Sequence, residues 1–357
     1  MVSLDPIVDR LFDEALKLGA SDIHLEPEEQ SLGVRYRVGG LMRDGFALDG
    51  ALREGVTAKL KLMARLDSTQ TLIPQDGAFV LKGVQVRLSV IPALGGQSVV
   101  MRLFKKVKEL ENLEGLGLDK KQVAEIKKIV GQTHGLFIIA GPTGSGKTTT
   151  FYAALRAIDP AAQKIITVED PVEQRLEGVC QTPVGSVGSN PRHAGRENAP
   201  VETLTFATAL RSILRQAPNV IGVGELRDTE SAKMALQAAL TGHLVIATLH
   251  ADSAARVPAR LIDMGLEAGV LAEVLGGVLA QRLLMTRTEA GGSVCTGVFE
   301  VMTPDEKICA AIKKCAGALE FQSILEEQKF VTLKQRAEGL VKTGRLSREA
   351  MLAEFVE

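Results

Sequence analysis

The order of apolar and polar positions divides the chain into three stretches of different rhythm. Ile7, Val8, Leu11, Phe12, Ala15 and Leu16 recur at helical spacing over residues 6–18, and Gly19 ends that helix. Residues 21–25 and 32–38 alternate as half-buried strands do, with Gly39-Gly40 as a turn before Leu41-Met42-Arg43. Helical period returns over 51–66. The turn Pro74-Gln75-Asp76-Gly77 then launches strands at 77–81, 84–91 and 98–104. The pattern predicts a small α+β domain over residues 1–104. Residues 105–114 (KKVKELENLE) are charged and carry no strong core signal, so 105–115 reads as a linker.

From 119 to 130 the period is helical again, with Gly131 as the stop, and LFIIA follows as an apolar run of strand length. Strands at 164–168, 220–223 and 244–249 then alternate with helical patterns at 205–216, 229–240 and 254–264. That alternation predicts a parallel sheet covered on both faces across residues 116–285, with ligands gathering at the carboxyl ends of its strands. From 298 onward helical patterns dominate (304–314, 323–328, 331–343, 347–356), with Gly344 as a stop and Ser347 as an N-cap. The expected fold class is α/β, with a smaller N-terminal α+β domain and a helical C-terminal portion over 286–357.

Composition narrows the partners more than the fold. Among 357 residues, 42 Lys plus Arg nearly cancel 43 Asp plus Glu, so no general basic field draws in nucleic acid or an anionic membrane. Trp is absent and aromatics are 4%, which leaves little for base stacking. Cys180, Cys295, Cys309 and Cys315 form no C-x-x-C pair, so they read as reduced, small apolar packers rather than a zinc site. MVSLDPIVDRLF lacks the pattern of a secretory signal, and no apolar run reaches spanning length. The expectation is a soluble cytoplasmic protein that meets a membrane through partners. Residues 183–200, dense in Gly, Pro, Ser and Asn, read as a surface loop in which Arg192, His193 and Arg196 either touch an acidic partner or are merely solvated.

The chemistry centres on GPTGSGKTT after the LFIIA strand. Gly141, Gly144 and Gly146 carry no Cβ, so backbone N–H groups can close around phosphate oxygens in the loop Gly141, Pro142, Thr143, Gly144, Ser145, Gly146. Lys147 supplies a charge for the β/γ-phosphates and Thr148 a hydroxyl for Mg²⁺, with Thr149 next in the helix whose positive dipole end faces the same anion. The chain is expected to bind ATP with Mg²⁺. Three later strands end in groups that suit phosphate hydrolysis. Glu169-Asp170-Pro171 either holds Mg²⁺ through its waters or simply starts a turn. Glu225, after VIGV and Gly224, is a general base for the attacking water, a residue that fixes Mg²⁺ through a water, or a structural carboxylate paired with Arg227. His250, with His243 at the other end of its strand, is a donor to a γ-phosphate oxygen or a packing histidine. Arg211 and Arg215 share a helix face and serve an anion or acidic neighbours.

GPTGSGKTTT, ITVEDPVE, LTFATALRSILRQAPNVIGVGELRD and LTGHLVIATLHADSA, in that order, resemble the Walker A, Asp-box, Walker B and His-box blocks of the type II secretion and type IV pilus assembly ATPases. GASDIHLEP, IPQDGAFV and VRLSVIPALGGQSVVMRLF resemble that family's second N-terminal domain. The resemblance implies a RecA-like ATPase core behind a PAS-like N-terminal domain, assembled as a homohexamer at the cytoplasmic face of the inner membrane and working on a platform protein there. It also implies that Arg87 and Arg102 face the phosphates, that Glu169 assists Mg²⁺, that Glu225 is the general base, and that His250 senses the γ-phosphate. The chain departs from the family pattern in several places. An extra N-terminal docking domain, frequent in the family, is not expected from these residues, and no tetracysteine zinc module follows Gln281-Arg282-Leu283. Ala217-Pro218-Asn219 stands where Asp-Pro-Asp is usual, Gly39 where an acidic residue is usual, and Thr71-Leu72-Ile73 where an Arg is usual. A retraction- or competence-type member, a nucleotide-regulated interaction protein with little turnover, and a DNA translocase are the other readings, the last disfavoured by the charge balance.

Overall fold

The computed structural model describes residues 4–104, 112–184, 204–287 and 293–355, and these fall into two units, one up to 104 and one from 112 onward. Most of the expected linker, and the loop carrying Arg192, His193 and Arg196, lie outside the described residues. Among the described residues no helix is long and apolar enough to cross a membrane.

In the first unit, helix α1 (Asp5–Leu18) is followed by strands β1 (Asp22–Pro27), β2 (Ser31–Val38) and β3 (Leu41–Asp49), helix α2 (Arg53–Met63), and strands β4 (Gln75–Leu81), β5 (Val84–Ala93) and β6 (Gly96–Phe104). Gly19 closes α1 at φ +71°, a left-handed conformation that a Cβ disfavours. The six strands form one antiparallel sheet in the order β3-β2-β1-β6-β5-β4. Alternation decides its two faces. Val86, Leu88, Val90, Val99, Met101 and Leu103 join Leu11, Phe12, Val56 and Leu60 of the helices in one buried core, which leaves Arg87 and Arg102 on the opposite face.

The second unit is built on α3 (Lys120–Val130), β7 (Gly135–Ala140), α4 (Lys147–Arg156), β8 (Ile165–Glu169), β9 (Val179–Pro183), α5 (Phe206–Ile213), β10 (Val220–Val223), α6 (Thr229–Leu240) and β11 (Leu244–Leu249). It continues through α7 (Arg256–Asp263), α8 (Ala268–Val274), β12 (Leu275–Arg287), β13 (Ser293–Met302), α9 (Glu306–Lys313), α10 (Ala318–Glu327), α11 (Leu333–Lys342) and α12 (Arg348–Phe355). Its seven strands run in the order β13-β12-β7-β11-β10-β8-β9, all neighbours parallel except β12 and β13. Both faces of the central strands are covered: Leu136, Ile138 and Ala140 enter one core, Phe137 and Ile139 the other.

The structure differs from the sequence expectations in four respects. The portion from 286 is not helical throughout, because β13 occupies Ser293–Met302 before the four helices begin. The sheet is not wholly parallel, since the short connection from β12 to β13 permits only an antiparallel return. The charged run over 105–115 conceals Leu113, which is buried in the core with Phe137 and Leu155. Three of the cysteines are exposed rather than packed. Cys180 and Cys295 sit on the two edge strands and Cys315 on a left-handed residue after α9, while Cys309 alone is partly buried against the core.

Candidate active site

Parallel register brings the carboxyl ends of β7, β8, β10 and β11 level: Ala140 lies beside Leu249, and Val223 beside both Ala247 and Val168. The loop leaving β7 turns sharply at Gly144 and Gly146, with φ of +80° and +85°. At Gly146 an added Cβ would meet Leu283 Cδ1 at 3.1 Å and Gln281 Nε2 at 3.2 Å, so the loop is pressed against β12 and glycine is required there. Thr143 and Gly144 are the exposed crown of the loop, Ser145 is buried, and Thr148 and Thr149 lie half-buried in the first turn of α4. The Lys147 ammonium folds back over the loop and donates to the carbonyls of Gly141 and Pro142, both at 2.8 Å. Burial pulls the Lys147 pKa below its ordinary value, against the attraction of Glu225 and with the repulsion of Arg282. A cation held in this way is poised to exchange two carbonyls for phosphate oxygens.

The neighbouring strand ends carry the acids and the histidine. Glu225 follows β10 with its side chain mostly buried. Its Oε1 lies 2.7 Å from His250 Nε2 and its Oε2 accepts from Arg227 Nε at 2.5 Å. Arg227 Nη1 reaches on to Asp170 Oδ2 at 3.1 Å. The Gly224 amide donates to the Val168 carbonyl at 2.8 Å, the Leu226 amide to the Thr248 carbonyl at 2.9 Å, and the Thr248 hydroxyl to the Gly224 carbonyl. The backbone carrying Glu225 is therefore pinned to both neighbouring strands. Lys147, Glu225 and His250 form one cluster. Arg227 and His250 are both its partners, so the ion pair expected as the alternative to catalysis is present together with the histidine contact.

Glu169 is placed differently. Its carboxylate is buried at the end of β8, where Oε2 accepts from the Tyr152 hydroxyl and Oε1 from Thr167 Oγ1 at 2.5 Å and Gln181 Nε2 at 3.1 Å. Burial and the adjoining carboxylate drive the Tyr152 phenol well above its usual pKa, so it remains a donor. Three donors satisfy this acid from within the fold. Asp170, half-exposed, is the acid that pairs with Arg227. His243 is not part of the cluster: its Nδ1 lies 2.9 Å from the Ala238 carbonyl at the start of β11, where it finishes α6. Arg211 pairs with Glu230, and Arg215 Nη1 donates to the Arg211 carbonyl at 3.0 Å.

In the first unit Arg87 and Arg102 are directly opposed across β5 and β6, and Asp22 opposes Arg102 on β1. The Arg102 Nε donates to Asp22 Oδ1 at 2.9 Å, while Arg37 Nε stands 3.5 Å from Oδ2. Burial acts to raise the Asp22 pKa, but the hydrogen bonds from Arg102 and Ser21 and the two guanidinium charges outweigh it, and the carboxyl is held below its usual range.

The structure also supplies residues that the motifs did not. Gln281 and Arg282 of β12 are buried; Gln281 Nε2 donates to the Ser145 carbonyl at 2.6 Å, and Arg282 Nη2 to the Asp252 carbonyl at 2.8 Å. Two adjacent polar residues inside an otherwise apolar run were the available signal.

A parallel sheet with a phosphate-type loop at its centre, flanked by a carboxylate strand end and a histidine strand end, defines a P-loop nucleotide-binding protein with a RecA-like core. The family model for Type II/IV secretion system protein matches residues 2–353, and the chain belongs to that family. It is 44% identical over 282 residues to the type II secretion system protein HxcR of Pseudomonas aeruginosa, covering 78% of this chain and 57% of that protein. It is 42% identical over 284 residues to the type II secretion system ATPase E of Vibrio cholerae, covering 78% of this chain and 54% of that protein. The chain thus spans little more than half the length of these relatives. The crystal structure of the pilus retraction motor PilT with bound ADP is similar over 98% of this chain and 96% of that one, with a TM-score of 0.73 and 28% identity.

Proposed function

We propose that the chain is a Mg²⁺-dependent ATPase that works as a homohexamer at the cytoplasmic face of the inner membrane and drives assembly of a type II secretion pseudopilus or type IV pilus through a platform protein. The observation that carries this reading is the meeting of Lys147, Glu225 and His250 at one end of the sheet, with the His250 ring 2.7 Å from the Glu225 carboxylate. Identity of 44% and 42% to two type II secretion proteins, each over 78% of this chain, supports the assembly branch.

In this reading residues Gly141, Pro142, Thr143, Gly144, Ser145, Gly146 and Thr149 line the phosphates, and Lys147 leaves its two carbonyls to neutralise them. Glu225 takes the proton of the attacking water, its carboxylate aimed by Arg227 and His250. His250, already a partner of Glu225, registers the γ-phosphate by exchanging one acceptor for another. Arg87 and Arg102 place guanidinium charge on the phosphoryl group. Thr148 and Glu169 are hard oxygen donors that fit Mg²⁺, and because three protein donors already satisfy Glu169, its contact suits an intervening water. The ion, when bound, offsets charge on the β- and γ-phosphates.

The test is ATP turnover per subunit across a protein-concentration series, with particle size measured in parallel. The motor reading expects specific activity to rise with a six-subunit species. Equal activity per subunit in a monomer would remove the hexamer from the mechanism.

A further inference from the structure

The nucleotide cluster is tied to the far C-terminal helix through a single buried side chain. Arg282, on β12, is 8% exposed. Its Nη2 donates to the Asp252 carbonyl at 2.8 Å and lies 3.3 Å from Asp252 Oδ1, two residues beyond His250. Its Nε lies 2.8 Å from Glu354 Oε1 on α12. Asp252 has a second cationic partner in Arg256, at 3.0 Å, but that pair is exposed and local to α7, whereas Arg282 reaches across the sheet. The same strand meets the site and the helix at two more points. Gln281 Nε2 holds the Ser145 carbonyl of the phosphate loop, and Thr286 Oγ1 accepts the Ser347 amide at the start of α12 at 3.2 Å.

A guanidinium is a planar fork, so its donors cannot move independently. A shift of the loop carrying His250 and Asp252 must either rotate Arg282 against Glu354 or break one of the two contacts. We propose that Arg282 is a positioning residue that transmits the nucleotide state of the His250 loop to helix α12 by holding Asp252 and Glu354 at once. A parallel link stiffens the same path. Glu300 of β13 accepts the Ala254 amide at 2.6 Å and the Leu333 amide at 2.7 Å, fastening the end of the His250 loop to the start of α11. With α11 anchored there, motion of the loop is directed to the Arg282–Glu354 contact. This inference rests on nucleotide binding at the phosphate loop.

The test is amide hydrogen exchange on the full chain, alone and with Mg²⁺ plus either ADP or a non-hydrolysable ATP analogue, read at residues 141–149 and 348–355. The wild type is expected to gain protection at 141–149 with both nucleotides and to differ at 348–355 between the two. In Glu354→Gln, which removes the charge facing Arg282 and keeps an acceptor oxygen there, the protection at 141–149 persists while the difference at 348–355 falls at least about threefold. Arg282→Lys, which keeps the charge and loses the fork, is expected to do the same. In both variants kcat is expected to fall about fivefold with KM within about twofold, as for a group that orders the site rather than binds substrate. Protection at 141–149 with no nucleotide-dependent difference at 348–355 in the wild type, or a wild-type difference in Glu354→Gln, overturns the proposal. No protection at either segment overturns the nucleotide reading itself, and this inference with it.

Discussion

Two buried acids show how much single residues depend on their immediate donors. Glu169 is kept in the fold by Tyr152, Thr167 and Gln181, and the Tyr152 hydroxyl in turn accepts the Glu173 amide at 3.0 Å and the Gln174 amide at 3.2 Å. Removing the hydroxyl leaves an acceptor and two amides short of a partner. Tyr152→Phe is expected to lower unfolding stability by about 1–3 kcal/mol in urea titration, with the midpoint shifted and the slope unchanged. Asp22 depends on its donors through pH. Its folded pKa lies below the ordinary 3.8, so the stability it contributes is present above that value and is lost as pH falls through the folded pKa. Asp22→Asn should therefore be less stable than the wild type near neutral pH, and the gap should narrow as pH falls below the ordinary 3.8 and through the folded pKa; a gap that widens in acid would contradict the pairing with Arg102.

At the scale of elements, the strands that end at the site are held by close packing as well as by hydrogen bonds. Gly222, in the middle of β10, has no room for a side chain: an added Cβ would stand 2.7 Å from Thr167 Cγ2 and 2.9 Å from Phe151 Cζ. Gly222→Ala is expected to cost about 1–3 kcal/mol by overpacking, measured by chemical denaturation, and to weaken nucleotide binding because β8, β10 and α4 must part to admit it. The elements that flank the site were legible where the pattern was local. β7, β8, β10 and β11 are apolar runs bounded by turn residues, α6 is capped by Asp228, and Ser347 caps α12 through the Ala350 amide at 3.1 Å. The elements that were not legible depend on distant partners. β12 carries Gln281 and Arg282 in its centre, and their acceptors, Ser145, Asp252 and Glu354, come from elsewhere in the chain. β9 is only half-buried and α8 has seven residues, too few for a period to declare itself.

Across the whole molecule, the two units hold different sets of charges. The second unit contains the phosphate loop, the Glu225–His250 pair and the Arg282 link, while the first presents Arg87 and Arg102 on the open face of an antiparallel sheet. The strand-loop-helix setting of Lys147 and Thr148 was readable because its spacing is local. The internal satisfaction of Glu169 was not readable because its donors come from a helix, its own strand and the next strand, and the pairing of Arg102 with Asp22 was not readable because it needs a register between β1 and β6. We propose that Lys147, Glu225 and His250, meeting at one end of the sheet, form a hydrolytic site. The measurement that tests it most directly is Mg²⁺-dependent phosphate release from ATP by the wild type and by Glu225→Gln, with ATP binding measured on both. Turnover is expected in the wild type, with a fall of at least about a hundredfold in the variant and ATP binding retained in each. Undiminished turnover in Glu225→Gln would contradict it, since the base would then lie elsewhere.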